Sequence, residues 1–191
     1  AHCQRPDIEV PPARILPARP TRVAPFIYTV DQIQALLNAT VTLRSQLRAA
    51  TFRTLIGLIA TTGIRTGEAL GLDIASYDPH AGTLRVEGKY GKIRLLPVHP
   101  TVGDALTEYI EQRRRWLPTA SEPALLISTN GTRLLPSRVN ETFWQLTIEA
   151  GLGSASSSCR PRLHDLRHTF AVSTMLDAYR RGEDPAVVLP I

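Results

Sequence analysis

Cysteine is nearly absent from the chain: Cys3 and Cys159 are the only two among 191 residues, and neither belongs to a CxxC pair or a Cys/His cluster. That rarity argues against a disulfide framework and against a zinc site. His2 beside Cys3 offers two ligands at a chain end, too few for a built metal centre. Long apolar runs are missing too. None approaches the roughly 18 residues that a membrane-spanning helix requires, and the proline-rich start has no signal-peptide core. The expected location is the cytoplasm. Acidic residues are outnumbered, 17 Asp and Glu against 22 Lys and Arg, which gives a net charge of +5. An excess of positive charge favours a polyanionic partner. No internal repeat interrupts a composition of 43% hydrophobic and 20% charged residues, which is that of a globular chain able to bury one core.

What is present divides into an arm and a folded body. Residues 1–25 hold Pro6, Pro11, Pro12, Pro17, Pro20 and Pro25 among Arg5, Arg14, Arg19 and Arg22. Such a stretch cannot form a regular helix and reads as an extended basic linker. From Phe26 the apolar spacing becomes helical. Thr29 can cap a helix with Val30, Ile33, Leu36 and Leu37 on one face. A second helix, Arg44 to Ala60, presents Leu47, Phe52, Leu55, Ile56 and Ile59 and is stopped by Thr62-Gly63; a short helix follows Arg65 and ends near Gly71. The period then changes to that of strands at Leu72–Tyr77, Thr83–Glu87 and Lys92–Pro97, an antiparallel meander. Helices resume at Val102–Trp116 and Ser137–Ala150, and residues 151–160, rich in Gly and Ser, read as a loop. A helix from His164 ends near Arg181 at Gly182, and Asp184-Pro185 opens another. The expected fold is mainly α with a small three-stranded antiparallel sheet.

Two segments about a hundred residues apart carry the chemistry. In Gly63-Ile64-Arg65-Thr66-Gly67-Glu68, Arg65 stands at a helix entrance, where unpaired backbone N–H groups suit an anion. Alone it reads equally as a surface arginine. Glu68, three residues on, shares its helix face and can orient it, or can be a solvated carboxylate. In Leu163-His164-Asp165-Leu166-Arg167-His168-Thr169, His164, Arg167 and His168 fall at i, i+3 and i+4 on one face. An isolated HxxR is usually an exposed polar stripe; a charged ligand is the alternative. Between the segments, Gly88-Lys89-Tyr90-Gly91-Lys92 is a glycine-flanked turn from which Lys89 or Lys92 can reach away from the sheet.

Taken together, in this order, these strings resemble the active site of the tyrosine recombinases, the phage integrase family. The resemblance runs from about Phe26 to the C-terminus. It implies a helical catalytic domain with a small sheet at one edge, acting on double-stranded DNA without metal or cofactor in the cytoplasm of a prokaryotic cell. Position by position it implies that Arg65 and Arg167 clamp the phosphate, that His164 assists proton transfer at a tyrosine nucleophile and that Lys89 protonates the departing 5′-oxygen. Lys89 is preferred to Lys92 as the first lysine of a G-K-x-x-K-x-R hairpin. Glu68 becomes a supporting acid and His168 a structural residue.

The departure from the family pattern is the nucleophile. Tyr28, Tyr77, Tyr90, Tyr109 and Tyr179 are the tyrosines of the chain, and none stands where the family places it. Tyr179, on the same expected helix as His164, comes nearest. Residues 26–191 are therefore expected to be a catalytic domain without its nucleophile segment and without the DNA-clasping domain that usually precedes the linker. The expected assembly is a monomer for such a fragment and a tetramer on DNA at full length. A DNA-binding module without catalysis, a remnant or a regulator, is the rival reading. A type IB topoisomerase shares the chemistry but matches the hairpin and HxxR wording less well.

Overall fold

A computed structural model describes residues 24–88, 91–118, 122–153 and 160–184. Lys89 and Tyr90, Cys3 and Cys159, all of the expected arm but its last two residues, and the helix expected after Asp184 lie outside the described residues.

Among the described residues, six α-helices and three short strands follow in the order α1 (Val30–Ala39), α2 (Gln46–Thr62), α3 (Thr66–Gly71), β1 (Tyr77–Asp78), β2 (Thr83–Glu87), β3 (Ile93–Pro97), α4 (Pro100–Trp116), α5 (Pro136–Glu149) and α6 (Asp165–Arg180). Local chemistry sets the ends. Thr29 Oγ1 accepts from the Gln32 N–H at 3.2 Å and the Gln32 side chain accepts from the Thr29 N–H at 2.9 Å, a reciprocal cap that starts α1. Ser45 caps α2, and Gly63 ends it in the left-handed conformation at φ 64°. Pro100 opens α4, two residues ahead of the expected Val102, because a proline at the first helical position gives up only an N–H that the helix leaves unpaired.

The core forms around α2. Leu55, Ile56, Leu58 and Ile59 are fully buried there, and α4 and α6 pack against the same helix. Burying an aliphatic side chain of this size contributes about 1.5–3 kcal/mol, so α2 anchors the elements on either side of it. Both halves of the candidate site depend on that anchor, since α3 leaves the C-terminal end of α2 and α6 packs on its flank.

The sheet has the order β1-β2-β3, antiparallel throughout, as expected. Its first strand is much shorter than the expected Leu72–Tyr77. Residues Ile74–Ser76 form a 3₁₀ turn, fixed by the Asp73 N–H donating to Ser76 Oγ at 3.1 Å, and only Tyr77–Asp78 pair with β2. In β2, Leu84 and Val86 point inward and are completely buried. The register pairs Val86 with Arg94 and Leu84 with Leu96, so Arg94 lies on the inner side of β3 while Ile93 and Leu95 stay exposed.

Candidate active site

The turn between α2 and α3 presents Arg65. Gly63 ends α2 with a positive φ, and a Cβ there would lie 2.8 Å from Phe170 Cε1 on α6 and closer still to Cδ1. Glycine is needed on both counts. Its carbonyl accepts a hydrogen bond from Arg167 Nη1, a contact spanning 104 residues that docks the first turn of α6 on the mouth of α3. Arg65 is the residue that caps α3. Its backbone N–H donates to Glu68 Oε2 at 3.0 Å and its Nη1 to Glu68 Oε1 at 2.9 Å, so the Glu68 carboxylate holds both ends of Arg65.

Glu68 has a second partner that the motif reading did not assign. Arg94 donates from Nη1 to Oε1 at 3.0 Å and from Nη2 to Oε2 at 2.7 Å. Each carboxylate oxygen thus accepts two charge-assisted or backbone hydrogen bonds. Burial alone would raise the Glu68 pKa, but the bonds from Arg94 and from the backbone and side chain of Arg65 outweigh it and hold the carboxyl at about 2. Glu68 is ionised throughout the physiological range. The Glu68 side chain is only 9% exposed, whereas half of the Arg65 side chain remains open to solvent.

The second segment is as firmly built. Asp165, fully buried, accepts from the Arg162 N–H, Nε and Nη2 at 2.9, 3.1 and 2.9 Å. Thr169 Oγ1 donates to the Asp165 carbonyl and accepts from the Tyr28 N–H, both at 2.9 Å, which ties the chain ahead of α1 to α6. This frame fixes the helix start. His164 occupies its N-cap, exposed, with its ring edge-on to His168 at a centroid distance of 5.0 Å. Burial lowers the His164 pKa, and the neighbouring His168 and Arg167 lower it further; Asp165 opposes them. The imidazole is therefore neutral at pH 7, able to accept or donate at either nitrogen. Burial also lowers the Arg167 pKa, followed by the repulsion of Arg65; Glu68 opposes this and Arg94 adds to it. Arg65 and Arg94 share the Glu68 carboxylate, and Arg167 docks on Gly63 two residues before Arg65.

Arg65 and Glu68 lie beside Arg167 at the α2–α3 turn, and His164 and His168 share the first turn of α6 with Arg167. Lys89 lies outside the described residues. Its rival Lys92 is exposed, and its carbonyl accepts from the Gly88 N–H at 2.7 Å to close the turn. Tyr109 is buried against Thr51, and the Tyr28 hydroxyl donates to the Arg162 carbonyl. Tyr179 is exposed, twelve residues along α6 from Arg167, which at 1.5 Å per residue is about 18 Å away. Among the described residues no group of three or more His, Cys, Asp or Glu is placed to hold a metal ion, and no helix is long and apolar enough to cross a membrane.

Residues 27–187 match the model of the phage integrase family. This chain belongs to that family. The protein y4rB of Sinorhizobium fredii, named as a candidate integrase/recombinase, is 38% identical and aligns with 97% of this chain and 62% of its own length. A tyrosine recombinase XerC from Alcanivorax borkumensis is 35% identical over 77% of this chain and 46% of its own. The crystal structure of the site-specific recombinase XerH bound to its difH substrate superposes with a TM-score of 0.64 at 24% identity, over 85% of this chain and 46% of that one. The fold is thus that of the catalytic domains of the integrase family. The chain spans between 46% and 62% of the length of these relatives.

Proposed function

We propose that the chain carries the phosphate-binding part of a site-specific DNA recombinase, a catalytic domain whose nucleophile is supplied by sequence beyond these 191 residues. The observation that supports the reading is the docking of Arg167 on the carbonyl of Gly63, two residues before Arg65 in the turn that opens α3. XerH, with the same fold, is bound to its difH substrate in its crystal structure.

In the proposed reaction a tyrosine hydroxyl attacks the scissile phosphorus. A P–O bond forms to the tyrosine as the bond to the 5′-oxygen breaks, leaving a 3′-phosphotyrosine. Arg65 and Arg167 donate to the nonbridging oxygens, on which negative charge builds; a guanidinium fork can give two hydrogen bonds to one phosphate where an ammonium gives a point charge. His164, neutral at pH 7, takes up the tyrosine proton or shares it by hydrogen bond, and Lys89 gives a proton to the departing 5′-oxygen. Glu68 keeps Arg65 in place, and His168 supports His164 from the next turn. No step calls for a metal or cofactor. Residues 1–25 serve as a basic arm along the DNA backbone, and the proposed assembly is a monomer for this chain and a tetramer on DNA for the longer protein.

Anisotropy titrations of a labelled duplex at several salt concentrations test the reading. Each neutralised phosphate contributes about −0.9 to the slope of log affinity against log salt, and Arg65→Ala and Arg167→Ala should each flatten the slope by about one such increment. Binding that ignores salt, or two variants that bind as the parent does, would sink it. The noncatalytic reading differs in one outcome: joining the chain to its natural downstream sequence should then yield no covalent adduct on a nicked duplex.

A further inference from the structure

Arg94 has no part in the chemistry proposed above, yet it makes the shortest ion pair to Glu68, at 2.7 Å. Its guanidinium meets the carboxylate fork to fork, the arrangement that best fixes both partners. The contact joins β3 to α3. A helix of only six residues cannot hold its own orientation, so the direction in which α3 points Arg65 depends on ties of this kind. Of the four hydrogen bonds that saturate Glu68, two come from Arg65 and two from Arg94. Taking away Arg94 leaves a largely buried carboxylate half-satisfied and free to turn, and Arg65 loses the fixed end of its own pair.

The pair is also in contact with the hairpin turn. A Cβ at Gly88 would lie 3.5 Å from Arg94 Nη1 and 3.7 Å from Glu68 Oε1, so the backbone entering the turn packs directly on it. Two residues before Arg94, the Lys92 carbonyl closes that turn on the Gly88 N–H. One ion pair therefore holds the mouth of α3 and the start of the β2–β3 turn at a fixed separation. Its charge matters too: three guanidinium groups, those of Arg65, Arg94 and Arg167, share the locality with the single Glu68 carboxylate, and the surplus is positive.

We propose that Arg94 is a positioning residue of this site, acting through Glu68 to aim the Arg65 guanidinium at the anion that Arg167 shares. The proposal rests on the phosphate-binding reading above. Titration of the ¹⁵N-labelled chain with inorganic phosphate, following the side-chain Nε–Hε resonances of Arg65 and Arg167, tests both. In the parent chain the two resonances should move together. Arg94→Met should shift the Arg65 resonance already in the free protein and weaken phosphate by about tenfold, the low end of what losing a group that orients a ligating side chain costs a bound ion. Arg94→Lys, which keeps the charge and is the milder change for folding, should recover part of that loss. In a Glu68→Gln background Arg94→Met should change the affinity by less than about twofold, because residues acting as one unit do not add.

An Arg65 resonance indifferent to Arg94→Met and Arg94→Lys, with affinity unchanged, would overturn the proposal. So would a full tenfold loss that persists in the Glu68→Gln background, since Arg94 would then touch the anion itself. If phosphate moves neither resonance in the parent chain, the phosphate-binding reading fails instead, while the Arg65 shift in free Arg94→Met still reports whether the tie exists.

Discussion

Gly63→Ala should be among the most damaging single-methyl additions in this chain, and Gly57→Ala, six residues earlier on the same helix, should be beneficial. At Gly63 the backbone sits at φ 64°, a left-handed conformation that costs an L-residue about 1–2 kcal/mol. The new methyl would also press into the Phe170 ring at 2.8 Å from Cε1, and forcing a carbon into a packed position costs about 1–3 kcal/mol. The expected loss is about 2–5 kcal/mol, a large part of the stability of an ordinary domain. Gly57 lies inside α2, where an added methyl would meet nothing within 4 Å. There alanine should gain about 0.5–1 kcal/mol from its better helix propensity. Urea unfolding followed by far-UV circular dichroism, with the midpoints compared at a common slope, measures both. If Gly63→Ala cost less than about 1 kcal/mol, or the two variants shifted the midpoint in the same direction, the account of how α6 docks on the α2–α3 turn would be wrong.

Two further expectations concern pH. The His164 imidazole should titrate below its ordinary 6.5 in an NMR titration, and His168→Gln should raise the midpoint. A base whose folded pKa is depressed costs the fold nothing above 6.5 and destabilises it as pH falls toward the folded value; a midpoint at or above 6.5 would contradict the partial burial of the ring and the positive groups around it. Glu68 runs by the same logic with the acid's sign. Its stabilising contribution should be complete above its ordinary 4.5 and vanish as pH falls through about 2. The thermal midpoint difference between the parent and Glu68→Gln should accordingly narrow over that window, and a constant difference down to pH 2 would refute the assignment.

The helices are readable in the sequence because breakers and apolar spacing agree: Thr29 ahead of α1, the face of Leu55, Ile56 and Ile59 in α2, and Gly63 as its stop; the start of α2 is the exception, since Ser45, which caps it, falls inside the expected Arg44–Ala60 helix. Arg65, Glu68, His164 and Arg167 stand out through the resemblance of their strings to the family's motifs, since helical spacing alone leaves each open to a reading as a surface residue. Arg94 ends the hairpin string without a role of its own, and hydropathy explains why it is passed over. The strand Ile93-Arg94-Leu95-Leu96-Pro97 invites the reading that Ile93 and Leu95 face inward, yet the pairing with β2 turns Arg94 inward and leaves both apolar residues exposed. On that inner face Arg94 pairs with a carboxylate 26 residues away and Leu96 packs against the core, and periodicity has no access to the first of these partners. The missing length of β1 has a similar cause. Asp73 and Ser76 bond to one another, and Asp73 also pairs with Arg133 at 2.5 Å, so a stretch with strand-like spacing is drawn into a turn.

A crystal structure of the chain with a duplex bound tests the central claim most directly, since the claim is that one DNA phosphate is shared by two arginines from distant segments. The account predicts a single backbone phosphate within about 2.7–3.2 Å of both the Arg65 and the Arg167 guanidinium groups, with His164 beside it and Glu68 still bound to Arg65 and Arg94. It would be contradicted by a duplex whose phosphates sit in the groove lined by Arg44, Arg48, Arg133 and Arg138, with no phosphate shared between Arg65 and Arg167.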